Sequence, residues 1–306
     1  MRPRLLAGLT ALACLPALAA CGSSTSPEAG SSASGSTTPS VVASTDVWGS
    51  VAKAVGGDLV KVTSVIDNPS QDPHDYEATA QDKLAFSKAD VVVVNGGGYD
   101  DWATTLAKST AGGATLVDAV KVSGLRPSGD GEFNEHVFYS MTAARKVATT
   151  IATDLSNVDP GHAATYRDNA KAFGKRLDEL TSSAVKVGKA HPGSTAVATE
   201  PVVGYLLQDM SITNITPEAF VEQSETEAGP STKVINETVT LLRDGKARVL
   251  LVNGQTVDDV SRKLSEAASA SGTPTVGVHE TFPKGVTTYD QFISTTIDAI
   301  GSALSK

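Results

Sequence analysis

The sequence predicts an α/β fold of two lobes, each built on a parallel sheet, joined by one long rigid helix. Three observations carry this. From Val41 onward, apolar β-branched runs alternate with amphipathic stretches, the pattern of parallel strands covered by helices on both faces. The second half repeats the scheme: Ala89-Asp90-Val91-Val92-Val93-Val94-Asn95-Gly96 is echoed by Ala247-Arg248-Val249-Leu250-Leu251-Val252-Asn253-Gly254. Midway between them runs a long amphipathic stretch.

In the first half, residues 41–45 read as a strand and 47–55 as a helix closed by Gly56-Gly57. A strand follows over 60–66, a helix over 78–88 and a buried strand over 91–94. A helix over 101–109 and a short strand over 115–117 complete the set, with another helix beginning near Met141. Asp159-Pro160 then reads as an N-cap with proline at the first helical position. Apolar side chains recur at Tyr166, Ala170, Phe173, Leu177, Leu180, Ala184 and Val187, in steps of four and three, and no proline intervenes until Pro192. About 29 helical residues would reach roughly 43 Å, enough for a strut along both lobes. The second half reads as strand 195–199, helices 202–210 and 234–244, strand 249–252, helix 257–270 and strand 274–278. The expected divisions are an N-terminal lobe over 41–158, the linking helix over 159–190 and a C-terminal lobe over 191–306.

Residues 1–20 read as a signal peptide. Arg2 and Arg4 precede an apolar stretch over 5–18 that is too short to span a bilayer. Leu18-Ala19-Ala20-Cys21 resembles a lipobox, which would make Cys21 the lipidated first residue of the mature chain. An ordinary secretory signal with an incidental cysteine is the alternative; the small residues before Cys21 and the tether after it favour lipidation. Residues 22–40 are almost wholly Ser, Gly, Thr, Pro and Ala, a flexible composition with a mean reach of roughly 25 Å. With Cys14 in the signal peptide and Cys21 lipidated, no pair remains to oxidise. Stability then rests on core burial, for which about 265 residues is ample. The net charge is -9, falling to about -11 without Arg2 and Arg4. No basic stripe with interleaved aromatics is present, so nucleic acid is not an expected partner. The acidic balance serves solubility and attracts cations weakly.

Four residues stand where a divalent metal would need them. In open α/β sheets ligands bind beyond the carboxyl ends of the strands. His74 lies in the turn after the second strand, and His136 precedes the helix near Met141. Glu200 follows the strand ending at Thr199, and Glu280 ends the last strand. Two imidazoles and two carboxylates make a complete shell and neutralise a 2+ ion. Glu200 has a rival role as a helix cap. His279 is the main rival ligand, but strand alternation points it away from Glu280. His162 falls in the first turn of the linking helix, and His191 has no evident partner. Asn95 and Asn253, after matching strands, are candidates to hydrogen-bond the ligands from behind, or simply to cap turns. Gly96-Gly97-Gly98 lacks the Lys-Ser/Thr of a nucleotide loop.

These residues resemble the signatures of the zinc and manganese receptors of bacterial metal ABC importers, the cluster A-I substrate-binding lipoproteins. The family's Pro-His-x-Tyr/Phe-Glu-x-Thr is matched by Pro73-His74-Asp75-Tyr76-Glu77-Ala78-Thr79. Its Pro-His-Val-Trp-Leu-Asp-Pro is degraded to Glu135-His136-Val137-Phe138-Tyr139-Ser140-Met141. The third ligand corresponds to Glu200 in Thr199-Glu200-Pro201-Val202-Val203-Gly204-Tyr205, and the fourth to Glu280 in Gly277-Val278-His279-Glu280-Thr281. The resemblance implies a monomeric extracytoplasmic receptor, lipid-anchored to the membrane, that binds one Zn²⁺ or Mn²⁺ in the interlobe crevice and hands it to an ABC permease. Residues 122–135 lack the His-rich loop of many zinc receptors and offer only Asp130, Glu132 and Glu135. Glu200 in place of a third imidazole hardens the site toward manganese, while raw affinity favours zinc. A secreted zinc hydrolase is the enzyme alternative, but four ligands leave no open position for water, and no His-Glu-x-x-His helix or nucleophile elbow occurs. A receptor for a small organic solute would need aromatic or arginine clamps, and aromatics make up 5% of the chain. The expectation is therefore a binding protein and not an enzyme.

Overall fold

The computed structural model describes residues 38–110, 112–126, 133–224, 226 and 228–306. The expected signal peptide, Cys21, the expected tether up to residue 37, Asp130 and Glu132 lie outside the described residues. Two four-stranded parallel sheets organise the rest. The first holds β1 (Ser40–Thr45), β2 (Lys61–Ile66), β3 (Val91–Val94) and β4 (Thr115–Asp118) in the order β2-β1-β3-β4. The second holds β5 (Thr195–Ala198), β6 (Thr213–Asn214), β7 (Val249–Asn253) and β8 (Thr275–Val278) in the order β6-β5-β7-β8. Both sheets reverse strand order at their first strand, which opens a crevice at the carboxyl ends of β1/β3 and β5/β7.

The first lobe's helices are α1 (Asp46–Gly56), α2 (Ala80–Ser87), α3 (Asp101–Thr110), α4 (Ala119–Ser123) and α5 (Met141–Val158). The long helix is α6 (Ala163–Ala190). Beyond it come α7 (Gly204–Asp209), α8 (Glu218–Ser224), α9 (Thr232–Arg243), α10 (Asp259–Ser271) and α11 (Tyr289–Leu304). Starts follow local chemistry. Thr79 and Asp82 form a reciprocal capping box at α2, and Asp258 with Ser261 forms another at α10. Each satisfies two otherwise orphan donors, and loss of such a cap costs about 1 kcal/mol.

The four valines of β3 show how one strand serves two layers. Val91 and Val93 enter the large inner core, while Val92 and Val94 enter a smaller outer cluster with Phe86, Ala103 and Leu106. Strand alternation alone produces that division. The inner core is continuous between the lobes: it joins the inner faces of both sheets through α1, α5, α6 and α11. The lobes are thus fused along one apolar seam.

The long helix is 28 residues, about 42 Å. It starts later than the sequence predicts, after a 3₁₀ turn over Pro160–His162. That turn satisfies the His162 N–H through the Asp159 carbonyl (3.2 Å), and the Asp159 side chain makes no capping bond. The carboxylate instead accepts from the Tyr166 hydroxyl and meets His162 Nδ1, both at 2.7 Å. Tyr166, Phe173, Leu177, Leu180 and Ala184 form the buried stripe. At Gly188 a Cβ would come within 1.9 Å of the Met210 carbonyl, so only glycine lets the helix lie this close to the second lobe. α11 crosses back onto the first lobe: Tyr289 donates from its hydroxyl to the Phe138 carbonyl (2.6 Å) and from its N–H to Ser50 Oγ (2.9 Å).

Candidate metal centre

The two histidines are positioned by the same short device. Asp72 Oδ1 accepts from the His74 backbone N–H (2.8 Å) and meets His74 Nδ1 at 2.9 Å. Asn134 Oδ1 accepts from the His136 backbone N–H (3.0 Å) and meets His136 Nδ1 at 2.8 Å. In each case a side chain two residues upstream fixes the loop and takes the ring's Nδ1–H. The Nε2 lone pair is then the face available to a metal. His136 is fully buried, at the start of the 3₁₀ turn Val137–Tyr139 that leads into α5. His74, in the β2–α2 loop, is 29% exposed at its side chain and faces the opening.

The second lobe supplies carboxylates. Glu280 lies two residues past β8 and is 1% exposed. Its Oε2 sits 3.8 Å from His136 Nε2 and 3.8 Å from His74 Nδ1. Both Glu280 Oε2 and His136 Nε2 are buried without a hydrogen-bond partner. Buried polar atoms are rarely left unpaired, because each costs about 1–3 kcal/mol. Two that face one another beside a second imidazole, that of His74, mark a place for a cation.

Glu200 follows β5 but stands one hydrogen bond behind this trio. Asn253, the last residue of β7, donates from Nδ2 to Glu200 Oε2 (2.5 Å) and to Glu280 Oε1 (2.7 Å). Thr256 donates to the other Glu200 oxygen. Asn253 therefore touches both carboxylates. Asn95, just after the matching strand β3, bonds differently: it accepts from Trp48 Nε1 (3.1 Å) and donates to the carbonyls of Gly96 (3.0 Å) and Glu135 (2.9 Å). It holds the backbone beside His136 and does not reach a candidate ligand. The following Gly96 has φ +75°, and a Cβ there would fall 2.4 Å from Asp118.

Sequence reasoning missed Asp72, Asn134 and Thr256, and took Glu135 only as an acid of the loop before His136. Glu135 Oε1 lies 3.5 Å from His74 Nε2. His74, Glu135 and His136 form one group of potential ligand atoms within 4.8 Å, and Asp72, His74 and Glu280 form another. A local signal existed for Asp72 and Asn134: Asp/Asn-x-His is written at 72–74 and again at 134–136. His279 lies apart, its ring against Gly254, where a Cβ would come within 2.7 Å. His162 pairs with Asp159, and His191 Nε2 is 3.4 Å from Ser305 Oγ.

The electrostatics are those of a cation site. Burial opposes the charge of His74, but its bonds to Asp72 and Glu135 and the charges of Glu280 and Asp72 outweigh it and raise it to about 11. Burial lowers His136 to about 4, only partly offset by the Glu135 charge. Burial raises Glu280 to about 7 against the nearby His74. Glu200 is raised by burial, against its bonds from Thr256 and Asn253. Without a metal, one imidazolium thus stands among Asp72, Glu135, Glu200 and Glu280. A cavity of about 650 Å³ opens beside His74 and Glu200. Among the described residues, no lysine or arginine lines it.

The fold and this cluster are those of a two-lobed metal-binding protein, and comparison with known proteins agrees. The chain matches the family described as zinc-uptake complex component A, periplasmic, over residues 41–303, and it belongs to that family. The metal ABC transporter substrate-binding lipoprotein ScbA of Streptococcus cristatus is 27% identical over 263 residues, 81% of each chain. The iron-binding protein YfeA of Yersinia pestis is 24% identical over 266 residues, 84% of this chain and 83% of its own. Among solved structures, the binding protein FpvC of Pseudomonas aeruginosa in complex with Mn²⁺ shares the fold with a TM-score of 0.74 at 23% identity, covering 88% of this chain and 99% of that one.

Proposed function

We propose that the protein is an extracytoplasmic receptor, lipid-anchored at Cys21, that captures one divalent transition metal ion, Zn²⁺ or Mn²⁺, and delivers it to an ABC permease. His74, His136 and Glu280 hold the ion, and Glu200, tied to Glu280 through Asn253, turns toward it as the fourth ligand when it binds. Asn253 supports both carboxylates, and Asn95 fixes the loop that carries His136. The observation that carries this reading is the buried, unpartnered pair His136 Nε2 and Glu280 Oε2, 3.8 Å apart, with His74 alongside. Each half of that pair is costly unless a third atom joins them.

The receptor binds without turning its cargo over. A hydrolase would keep one position open for water, whereas these side chains suffice to close a four-coordinate shell. Among the described residues the cavity is lined by Asp72, Asp75, Glu200 and Asp258 and by no lysine or arginine, which disfavours an anionic solute. No helix among the described residues is long and apolar enough to cross a membrane. The monomer is the working unit, since both lobes of one chain supply the ligands.

The test is elemental analysis after dialysis, followed by competitive Zn²⁺/Mn²⁺ titration. One ion per wild-type chain, and none held by His136→Ala that remains folded, is the expected result. Ester or peptide turnover that depends on added zinc would instead favour the enzyme.

A further inference from the structure

We propose that Glu135 is an ion-selecting ligand: it completes the shell of a hard, six-coordinate divalent ion of the Mn²⁺ or Fe²⁺ class and is left unused by tetrahedral Zn²⁺. The inference deepens the receptor reading and rests on it. Glu135 is clamped from behind. Its carbonyl accepts from Asn95 Nδ2 (2.9 Å) and from the Val137 N–H (2.6 Å). Its Cβ packs on Gly97, where an added Cβ would come within 3.4 Å. The side chain, 14% exposed, brings Oε1 to 3.5 Å from His74 Nε2. Its carboxylate, His74 and His136 offer atoms that all lie within 4.8 Å, the spacing of groups that share one ion. The unpartnered His136 Nε2 and Glu280 Oε2, 0% and 1% exposed, lie 3.8 Å from one another.

The donor count then exceeds what zinc uses. His74, His136, Glu200, Glu280 and Glu135 offer two nitrogens and three carboxylates. Zinc closes at four ligands, whereas oxygen-rich shells of six suit manganese. The fifth side chain adds affinity only for an ion with room for it.

The experiment compares wild type, Glu135→Gln and Glu135→Asp, each checked for folding by circular dichroism, in competitive titrations with Mn²⁺ and Zn²⁺. Both variants should lose about 10–100-fold in Mn²⁺ affinity and less than about threefold in Zn²⁺ affinity. Co²⁺ bound to wild type should show weak visible d–d bands that intensify in Glu135→Gln as the shell contracts. Parallel losses for the two metals, full Mn²⁺ affinity in the charge-preserving Glu135→Asp, or no change in either variant would overturn the proposal. Folded wild type that takes up neither metal would instead remove the receptor reading beneath it.

Discussion

His74 and His136 are each held by a residue two positions upstream, Asp72 and Asn134. Glu200 and Glu280 share a single clamp, Asn253, that is 53 residues from one and 27 from the other. The first lobe therefore orients its ligands by local loop chemistry. The second does so by sheet register, because Asn253 ends β7 between β5 and β8. Local locks survive small shifts of the lobe around them. A shared long-range clamp ties two ligands to one another and to the integrity of a sheet.

The sharpest way to break this division is to remove the buried member of each half. His136→Ala and Glu280→Ala should each lower metal affinity by orders of magnitude, measured by calorimetry on protein with unchanged circular dichroism. Wild-type affinity in either variant would remove that residue from the shell. Next in size is Asn253→Ala. It strips a donor from both carboxylates at once and should cost about 10–100-fold, as supporting hydrogen bonds to ligands generally do. If Asn253→Ala costs no more than loss of one histidine lock, the carboxylates are not coupled through it.

The two halves also titrate differently. His74, raised to about 11, carries a proton at neutral pH, and Glu280, raised to about 7, is half protonated there. Both must be bare to bind a metal, so binding releases protons and affinity climbs with pH. Log affinity should rise by about two per pH unit between 4 and 7, and by about one above 7, as Glu280 ceases to contribute. Below about 4 the protonation of His136 steepens the fall. For the metal-free fold the sign is the same for both groups. The stability that Glu280 lends is present below 4.5 and lost as pH rises through about 7. That of His74 is present below 6.5 and lost as pH rises through about 11. Calorimetry at pH 8 in two buffers of different ionisation enthalpy should count about one proton released per ion. A count of zero would mean that His74 is neutral in the free protein.

Much of this was legible before the fold. Valine runs and amphipathic periodicity give the alternating elements because each is a local signal, whereas the one cap read from the sequence, Asp159, turns its carboxylate to Tyr166 and His162 instead. Glu200 and Glu280 stand out because carboxylates just beyond apolar strands have few other uses. The continuous inner core was not legible: periodicity says which face of α11 is apolar, not that Tyr289 reaches back to Ser50 and Phe138. The contacts of Glu135 and Thr256 were hidden for the same reason, since only tertiary folding brings these residues to His74 and Glu200. Asp72 and Asn134 were readable in principle from the repeated Asp/Asn-x-His.

Lobe motion offers a gentler test. Hydrogen bonds cross between lobes from Tyr139 to the His279 carbonyl (2.9 Å), from Tyr205 to the Asn134 carbonyl (2.7 Å) and from Gln255 to the Gln71 carbonyl (3.0 Å). With α6 packed along both lobes, metal-free and metal-bound crystals should differ by loop and ligand shifts around His74. A large rigid rotation of one lobe would show that the seam opens.

The smallest expected effect separates the two histidine locks. Asn134→Ala should cost about tenfold in affinity, because it frees a buried ring and also removes the Asn134 Nδ2 bond to the Pro201 carbonyl (2.8 Å) across the crevice. Asp72→Asn retains an oxygen to accept from His74 but removes a charge. Two consequences then oppose one another: a less basic His74 releases its proton to solvent more readily as the metal binds, yet the site loses one negative charge that attracts the ion. The net change at pH 7 should fall below that of Asn134→Ala, and the proton count per ion at pH 8 should drop. A loss larger than that of Asn134→Ala, with the count unchanged, would mean that Asp72 binds the metal itself.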